Sequence, residues 1–528
     1  MNRGMPTRQD RIIRYVNAFC PHCHDEEPGR SLADVPRLSG YLSVAEDNVW
    51  LVRGCNRHGK VVTLYDEDPT ILEYLEEWTA PTKYHVPDTA GNYEPIPAAY
   101  LRGLGEMQTQ HTCILLEEIT QECNLRCPTC FADSSPRLTG AATIDDLLDN
   151  IDRRLGREGG RLDVLMLSGG EPTIHPDFLQ LLDRVVERNI TRIVVNSNGI
   201  AISRDDLLLE ALRRHNRRVE VYLQFDGFRR ETYLHHRNAD LRAMKQSAVE
   251  RLSGVGVFTT LTMTASLGVN DDEIGDVIQY SLETPFVGGV SIQPQFGSGR
   301  SGEINPLDRL THTGVLRRLD PQTGGLVKWK DLTALPCSHP HCCSVGYMIR
   351  DDGGEWRSLV SLIGHDRLKE HLDLVANRIA DDDLPGELRT AVKASLLGLL
   401  SEQSSLSHPT VGELIRTVCE SCDLGLTSLL RVAANAGRNG EGLRDMLASR
   451  VKRITVKPFM DMSTMIEERL IQCCVHVGTR SEADLDQCAP FCAVQAWPGL
   501  GRGKLSEVAG ARIDSVPITL RMSQEAST

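Results

Sequence analysis

The chain has 528 residues, 41% of them hydrophobic, and a formal net charge of -14. This composition is typical of a globular protein with a sizeable core, and its acidity argues against a nucleic-acid partner, since non-specific binding needs a basic surface. No stretch reaches the ~18 apolar residues of a membrane span, and the N-terminus lacks the apolar segment of a secretory signal. We therefore expect a cytoplasmic protein.

Sixteen cysteines are present, which in a large chain without a secretory signal indicates metal binding more often than disulfides. All but Cys113 fall into groups with ligand-like spacing. The first group lies in a module spanning residues 10–80, where Cys20 and Cys23 form one knuckle and Cys55 and His58 form another. Three thiolates and one imidazole are an established zinc set. Two interpretations follow from this ligand set. The metal is either a zinc ion that only stabilises the fold, or a rubredoxin-like iron that would make the module an electron carrier.

A Pro-rich linker over residues 81–110 leads into a module at 111–300 in which strand and helix patterns alternate. The predicted strands are Ile114–Ile119, Leu162–Leu167, Arg192–Asn196, Val219–Phe225, Gly256–Met263 and Gly289–Gln293. The predicted helices are Asp145–Leu155, Phe178–Glu187, Asp205–Arg213 and Leu241–Leu252. Repeated βα units of this length predict an α/β fold with a parallel sheet, open or closed into a barrel. In such folds the active site lies at the carboxyl ends of the strands.

Cys123, Cys127 and Cys130 follow the first of these strands in a C-x3-C-x2-C pattern. A [4Fe–4S] cluster normally takes four thiolates, so three would leave one iron open to a small molecule. A zinc knuckle or chance spacing is the alternative. Further residues at the ends of the later strands lie where the active site of such a fold is expected: Ser168, Gly169, Gly170, Glu171, Asn198, Gln224 and Asp226. Weaker lining candidates are Thr262, Thr264 and Gln293, while His235 and His236 are expected in a solvated loop.

The region 301–512 combines a helical insert with nine further candidate metal ligands, and residues 513–528 read as a flexible tail. The nine are Cys337, Cys342, Cys343, Cys419, Cys422, Cys473, Cys474, Cys488 and Cys492. They suffice for two auxiliary [4Fe–4S] clusters with one thiol spare. One cluster with buried free thiols is the alternative, and the sequence does not assign which cysteines share a cluster.

The cysteine loop followed by Ser168-Gly169-Gly170-Glu171-Pro172 resembles the radical S-adenosylmethionine (SAM) superfamily. With the N-terminal knuckles and the late cysteines, the chain resembles the group that contains archaeal tetraether lipid synthases and 7,8-dihydro-6-hydroxymethylpterin dimethyltransferases. The resemblance implies a partial (β/α)6 barrel with an N-terminal zinc-ribbon or rubredoxin-like module and a C-terminal auxiliary Fe–S region. It also implies SAM bound at the open iron by the strand-end residues. An electron donor such as ferredoxin or flavodoxin would supply the reducing electron.

In that family the reduced cluster cleaves SAM to a 5′-deoxyadenosyl radical. The resemblance implies hydrogen abstraction from an unactivated carbon and C–C bond formation, either coupling lipid alkyl chains or methylating a pterin. A lipid substrate would allow peripheral membrane contact. A peptide maturase with auxiliary clusters and a non-catalytic Fe–S or zinc electron-transfer scaffold are the alternatives. The chain departs from many members in carrying Thr129, not an aromatic residue, before Cys130. No catalytic acid, base or nucleophile is identified.

Overall fold

The computed structural model describes residues 6, 10–27, 35–78, 112–138, 141–301, 304–335, 338–351, 353–366, 368–369, 448–478 and 488–497. The Pro-rich linker, most of the helical insert and the C-terminal tail lie outside the described residues. So do Cys337, Cys419 and Cys422, and the side chain of Cys488.

Four antiparallel strands form the N-terminal sheet in the order β1-β2-β3-β4. Their bounds are Arg11–Ala18, Leu38–Ala45, Asn48–Cys55 and Gly59–Asp66. Glu46 and Asp47, both at positive φ, form the two-residue turn between β2 and β3, which suits the right-handed twist of a hairpin. Helices α1 (Pro21–Glu26) and α2 (Pro69–Glu76) follow β1 and β4.

Six consecutive strands, all parallel, form the centre of the second sheet. They are β5 (Ile114–Thr120), β6 (Leu162–Gly169), β7 (Ile190–Ser197), β8 (Val219–Gln224), β9 (Thr259–Ala265) and β10 (Val287–Pro294). The intervening helices are α3 (Ile144–Arg157), α4 (Phe178–Val186), α5 (Asp206–Arg214), α6 (Arg230–Arg237), α7 (Arg242–Gly254) and α8 (Ile274–Glu283). The predicted α/β class built on six βα units is confirmed.

The later part of the chain extends this sheet at both edges. Its strands are β11 (Thr333–Ala334), β12 (Ser344–Arg350), β13 (Trp356–Ser358), β14 (Val451–Val456), β15 (Val475–Gly478) and β16 (Cys488–Pro490). Its helices are α9 (His312–Gln322), α10 (Leu359–Ile363), α11 (Glu467–Ile471) and α12 (Phe491–Ala496). Strand β14 pairs parallel to β10 and β15 pairs parallel to β5, so the parallel run has eight strands.

Alternation along the strands separates two apolar cores. Leu115 and Leu165 belong to the large core that includes the helices, whereas Ile114 and Val164 belong to a second core on the concave side of the sheet. That second core also contains buried residues of the segment 459–497. The C-terminal segment therefore fills the concave face, and it brings its cysteines to the barrel.

The N-terminal sheet holds the same C-terminal segment from the other side. The Arg53 guanidinium and the Thr63 hydroxyl both donate to the carbonyl of Ser463, at 3.0 and 2.7 Å. The His24 ring lies 2.8 Å from the carbonyl of Ala496. These contacts fix the C-terminal segment between the N-terminal sheet and the barrel. Within the described part of the chain, no helix is long and apolar enough to cross a membrane.

Gly289 and Gly288 give a test of how tightly the barrel strands pack. A Cβ on Gly289 would lie 2.0 Å from the carbonyl oxygen of Arg453 in β14, whereas a Cβ on Gly288 would meet its nearest atom, in the Phe258 ring, at 3.4 Å. We expect Gly289→Ala to lower the free energy of unfolding by about 2 kcal/mol, since backbone cannot yield cheaply to an added methyl group. Urea unfolding followed by circular dichroism measures this. Gly288→Ala is the control, and equal midpoints for the two variants would contradict the packing.

Candidate metal and cofactor site

The N-terminal ligand set has the geometry of a single tetrahedral metal ion. Cys20, Cys23, Cys55 and His58 place their ligand atoms within 4.8 Å of one another, and they are the only such group among the described residues. Cys23 Sγ and Cys55 Sγ lie 3.6 Å apart, and His58 Nδ1 lies 3.4–3.6 Å from the three sulfurs. Zinc bonded to sulfur and nitrogen at its usual lengths would give roughly 3.8 and 3.6 Å for these separations. The residues fit zinc.

Groups around the ligands support a bound metal. His58 Nε2 lies 3.1 Å from a carboxylate oxygen of Glu26, the partner that commonly orients a metal-binding imidazole. Burial acts to raise the pKa of Cys55, but hydrogen bonds from the backbone N–H groups of His58 and Arg57 lower it to about 6. A metal binds the thiolate, so these N–H groups favour the binding form.

The three-cysteine loop follows β5, at the carboxyl end of the parallel sheet. Cys123 and Cys127 are buried and Cys130 is half-buried, and burial raises the pKa of Cys123 to about 12. The three sulfurs do not converge within 4.8 Å as the zinc ligands do. A wider spacing suits a four-iron cube, whose thiolates sit at separate corners.

Arg300, which the sequence did not single out, holds this loop. Its Nε donates to the carbonyl of Cys127 at 3.1 Å, and its Nη1 pairs with Asp133 at 2.7 Å. Its backbone N–H donates to the carbonyl of Cys130 at 2.9 Å. Arg300, which lies in the segment that follows β10, therefore fixes the backbone at two of the three cysteines.

Gly169 and Gly170 lie directly against the backbone that leads into the cysteine loop. A Cβ on either would approach a carbonyl oxygen, of Thr120 at 2.1 Å or of Glu122 at 2.0 Å. The backbone N–H of Gly170 donates to Thr120 O at 2.8 Å, and that of Glu171 donates to Glu122 O at 2.9 Å. The glycines thus allow two loops to pack directly against each other. The fold itself requires glycine at these positions, whether or not a ligand is bound.

The Glu171 carboxylate is buried and joins β6 to the end of β7. It accepts hydrogen bonds from the hydroxyl of Thr173 at 2.6 Å, the hydroxyl of Ser197 at 2.8 Å and the backbone N–H of Asn198 at 2.7 Å. Burial raises the pKa of Glu171 above its ordinary value, although these hydrogen bonds act to lower it. Its expected role in binding SAM stays a prediction.

Asn198 connects the end of β7 to the cysteine loop. Its amide nitrogen donates to Asn124 Oδ1 at 2.7 Å and lies 4.0 Å from Cys123 Sγ. Its carbonyl accepts from Lys245 Nζ at 2.6 Å. Lys245, a residue of α7, is fully buried, and burial lowers its pKa to about 8.

Asp226 forms a buried, bidentate ion pair with Arg237 of α6, with both N···O distances at 2.7 Å. Burial acts to raise the pKa of Asp226, but the charge of Arg237 holds it below its ordinary value. The guanidinium donates to Thr264 Oγ1 at 3.2 Å, and the nearby Cys127 thiol acts to raise the pKa of Arg237. Arg237 is thus a second cation at the cysteine loop, and the helix that carries it was not predicted.

The remaining strand-end candidates lie at the same edge of the sheet. Ser168 is buried and accepts a hydrogen bond from Asn196 at 3.0 Å, and Gln224 is half-buried at the end of β8. Thr264 and Gln293 are paired in the register of β9 and β10. Thr262, two residues earlier in β9, is buried.

The prediction of a solvated loop for the two histidines is wrong for His236. Both residues lie in α6, where His235 is exposed and His236 is fully buried. His236 Nδ1 lies 3.2 Å from Thr129 Oγ1, so the helix packs against the cysteine loop.

A second group of thiols surrounds a cavity of about 620 Å³, its solvent-facing mouth included. The lining cysteines are Cys113, Cys342, Cys343, Cys473, Cys474 and Cys492. Burial and the neighbouring thiols raise the pKa of Cys473 well above its ordinary value. Cys113, which the spacing left ungrouped, reaches the cavity because its backbone N–H bonds the carbonyl of Cys474 at 3.0 Å.

Arg469 lies in the wall of this cavity. Its Nε donates to Cys342 Sγ at 3.4 Å and its Nη2 donates to the carbonyl of Pro458 at 2.7 Å. Burial raises the pKa of Cys492 to about 11, against the lowering effect of the Arg469 charge. A metal bound by these thiols would displace their protons.

Comparison with known proteins agrees with this geometry. Residues 118–280 match the radical SAM superfamily, and residues 12–67 match the HMPTM N-terminal zinc ribbon domain. The chain is 24% identical to the 7,8-dihydro-6-hydroxymethylpterin dimethyltransferase of Methanocaldococcus jannaschii, over 90% of this chain and 92% of that protein. It is 29% identical to a probable GTP 3',8-cyclase of Thermococcus kodakarensis, over 31% of this chain and 52% of that one.

Among solved structures, Streptococcus suis SuiB aligns over 54% of this chain and 67% of its own, with 14% identity and a TM-score of 0.35. The matched superfamily region begins in β5 and ends in α8, so it contains the cysteine loop and the Gly-Gly-Glu segment. The chain therefore contains a radical SAM domain over residues 118–280.

Proposed function

We propose that this enzyme forms a C–C bond by adding a one-carbon unit to an unactivated carbon of a small molecule, and that a reduced pterin is the acceptor. The observation that carries the proposal is the similarity to the M. jannaschii pterin dimethyltransferase, which extends over nine-tenths of both chains. Lipid coupling, the other reaction considered from the sequence, has no comparable support.

Cys123, Cys127 and Cys130 would hold a [4Fe–4S] cluster, and the donor set fits because three buried or half-buried thiols share one loop with no fourth in its sequence. When bound and reduced, the cluster would supply the electron that cleaves SAM to a 5′-deoxyadenosyl radical. The protein contributes binding, orientation and exclusion of water. SAM would lie along the strand ends, against Ser168, Gly169, Gly170, Glu171, Asn198, Gln224 and Asp226.

The surrounding residues give this site a fixed shape. Arg300 holds the loop backbone through the carbonyl of Cys127. Lys245 holds the end of β7 through the carbonyl of Asn198. Asp226 keeps the Arg237 guanidinium in place through two hydrogen bonds.

An auxiliary [4Fe–4S] cluster would occupy the thiol cavity. Cys342, Cys474 and Cys492 all line the cavity with Cys473, and four thiols around one cavity match the ligand count of such a cluster. Cys343 belongs to the helix-side core, which supports leaving it out of this set. A small one-electron donor protein would reduce the enzyme.

The test of the acceptor uses purified, anaerobically reconstituted protein with SAM, a reductant and 7,8-dihydro-6-hydroxymethylpterin. The one-carbon unit is supplied either by a second molecule of SAM or by an added methylene-carrying reduced folate. We expect the pterin to gain the mass of one or two methyl groups, measured by mass spectrometry, because the proposed reaction adds one-carbon units. A long-chain lipid in place of the pterin is the control. Coupled alkyl chains with unchanged pterin would contradict the proposal and favour the lipid reaction.

Loss of one loop thiol tests the cluster itself. We expect Cys127→Ala to abolish 5′-deoxyadenosine formation from SAM, since the buried thiol at this position has no replacement in the loop. Chromatography of the products after reduction measures this. Arg126→Ala, an exposed neighbour, is the matched control and should retain turnover. Equal turnover in both variants would remove the loop from the mechanism.

Loss of one zinc ligand tests the N-terminal site. We expect Cys20→Ser to lose the equivalent of one zinc per chain and to lower the melting temperature by several degrees, because structural zinc contributes directly to folding. Metal analysis and calorimetry measure both effects. His22→Ala changes a residue of helix α1 that is not one of the four metal ligands, and this variant should keep its zinc. Iron at this site in the unaltered protein would favour the rubredoxin-like alternative.

A further inference from the structure

We propose that Arg469 is the internal counter-charge of the metal–sulfur cluster in the thiol cavity, and that it raises the reduction potential of that cluster. The inference rests on the proposed function, because it needs the auxiliary cluster proposed there. It assigns a role to a residue that neither the motifs nor the comparisons single out.

Two hydrogen bonds fix the Arg469 side chain against the cavity. The residue is 5% exposed. Its Nε donates to Cys342 Sγ at 3.4 Å, while its Nη2 donates to the Pro458 carbonyl at 2.7 Å. Donors on two sides of one planar group define its orientation, which a flexible ammonium could not reproduce.

The Arg469 charge has no carboxylate partner in the part of the chain that the structure describes, where no Asp or Glu oxygen lies within 4.0 Å of it. Arg237 and Arg309, by contrast, pair with Asp226 and Asp461, each at 2.7 Å. A buried charge is stabilised by a compensating charge nearby. An anion in the thiol cavity would supply that charge to Arg469.

The pKa values of Arg469 and of its neighbour His312 reflect the absence of a carboxylate beside the guanidinium in the described part of the chain. Burial acts to lower the pKa of Arg469, but the charge of Cys342 and then of Tyr65 raises it above its ordinary value. On the other side, burial and the Arg469 charge lower the pKa of His312. The guanidinium thus faces the Cys342 sulfur on one side and the His312 imidazole on the other.

The physical effect on a cluster follows from charge. A [4Fe–4S] cluster with four thiolates is an anion, and reduction adds one more negative charge. A fixed cation beside it stabilises the reduced form more than the oxidised form, most strongly where water is excluded. Because α11 ends two residues before Cys473, the same turn brings the cation and two of the proposed ligands to the cavity.

The experiment isolates the auxiliary cluster in the full-length chain. Cys123, Cys127 and Cys130 are all changed to Ala to remove the SAM-binding cluster, and the protein is reconstituted anaerobically with iron and sulfide. Iron content and an EPR-monitored redox titration are then measured with Arg469→Gln, Arg469→Lys or Arg37→Gln added. Arg37 is the matched control because it pairs with Glu467 of the same helix at 2.7 Å but is 36% exposed.

We expect Arg469→Gln to keep its iron and to shift the ratio of reduced to oxidised cluster about tenfold toward oxidised at a given potential, which is about 59 mV for one electron. Arg469→Lys should fall between this variant and the unaltered residue, and Arg37→Gln should show no shift. An unchanged potential in iron-loaded Arg469→Gln would overturn the inference and leave the cluster standing. Absence of iron beyond the N-terminal site in the triple-Ala background would overturn the cluster itself.

Failure of Arg469→Gln to bind iron also decides the question. Iron retained by Arg469→Lys but lost by Arg469→Gln would support the counter-charge, because lysine keeps the positive charge of arginine and glutamine does not. Loss of iron from both would show that the planar hydrogen bonds, not the charge, hold the cavity together, and would overturn the inference.

Discussion

The packing of the C-terminal segment into the concave face of the parallel sheet is the constraint on which the arrangement of thiols depends. Strand β15 pairs with β5, and this pairing brings Cys474 to within a backbone hydrogen bond of Cys113. The N-terminal sheet then covers the segment from outside, through Arg53 and Thr63. Cysteine groups hundreds of residues apart in sequence thus meet around one barrel because of backbone pairing and apolar packing.

Buried charge is distributed differently around the two thiol groups. At the loop after β5, Arg237 carries its own carboxylate, so its position is fixed whether or not a cofactor is present. At the thiol cavity, Arg469 has sulfur and a carbonyl as its described partners. The charge of Arg237 is thus balanced within the protein, whereas the described partners of Arg469 include no carboxylate.

Local patterns in the sequence predicted most of the barrel, because each strand is a short apolar run ending in polar residues. All six predicted strands exist, with ends shifted by up to three residues. Helix α6 was not predicted, since its sequence from Arg230 to Arg237 is too polar to show an apolar face. The edge pairings of β14 and β15 were also missed, because partners hundreds of residues apart leave no local periodicity.

In the candidate site, as in the fold, the sequence predicted local groups of residues and missed contacts between distant ones. Ligand spacing identified the zinc tetrad and the cysteine loop, because both depend on residues close together in sequence. The supporting cations Arg237, Lys245, Arg300 and Arg469 had no such signal, since arginine and lysine at these positions resemble ordinary surface charges until the fold buries or half-buries them. The glycines were expected to make room for a ligand, and in the structure they make room for a neighbouring loop.

The pairing of β5 with β15 has a consequence for how the protein is made. Strand β5 begins at Ile114 and its partner begins at Val475, about 360 residues later. At roughly 5–20 residues per second, the ribosome would need roughly 20–70 s to deliver that partner. During this interval β5 is an edge strand, a known template for aggregation, and the adjacent cysteine loop lacks its C-terminal cover. The cysteine loop therefore gains its full cover only after most of the chain has been made, when the last strand closes the sheet.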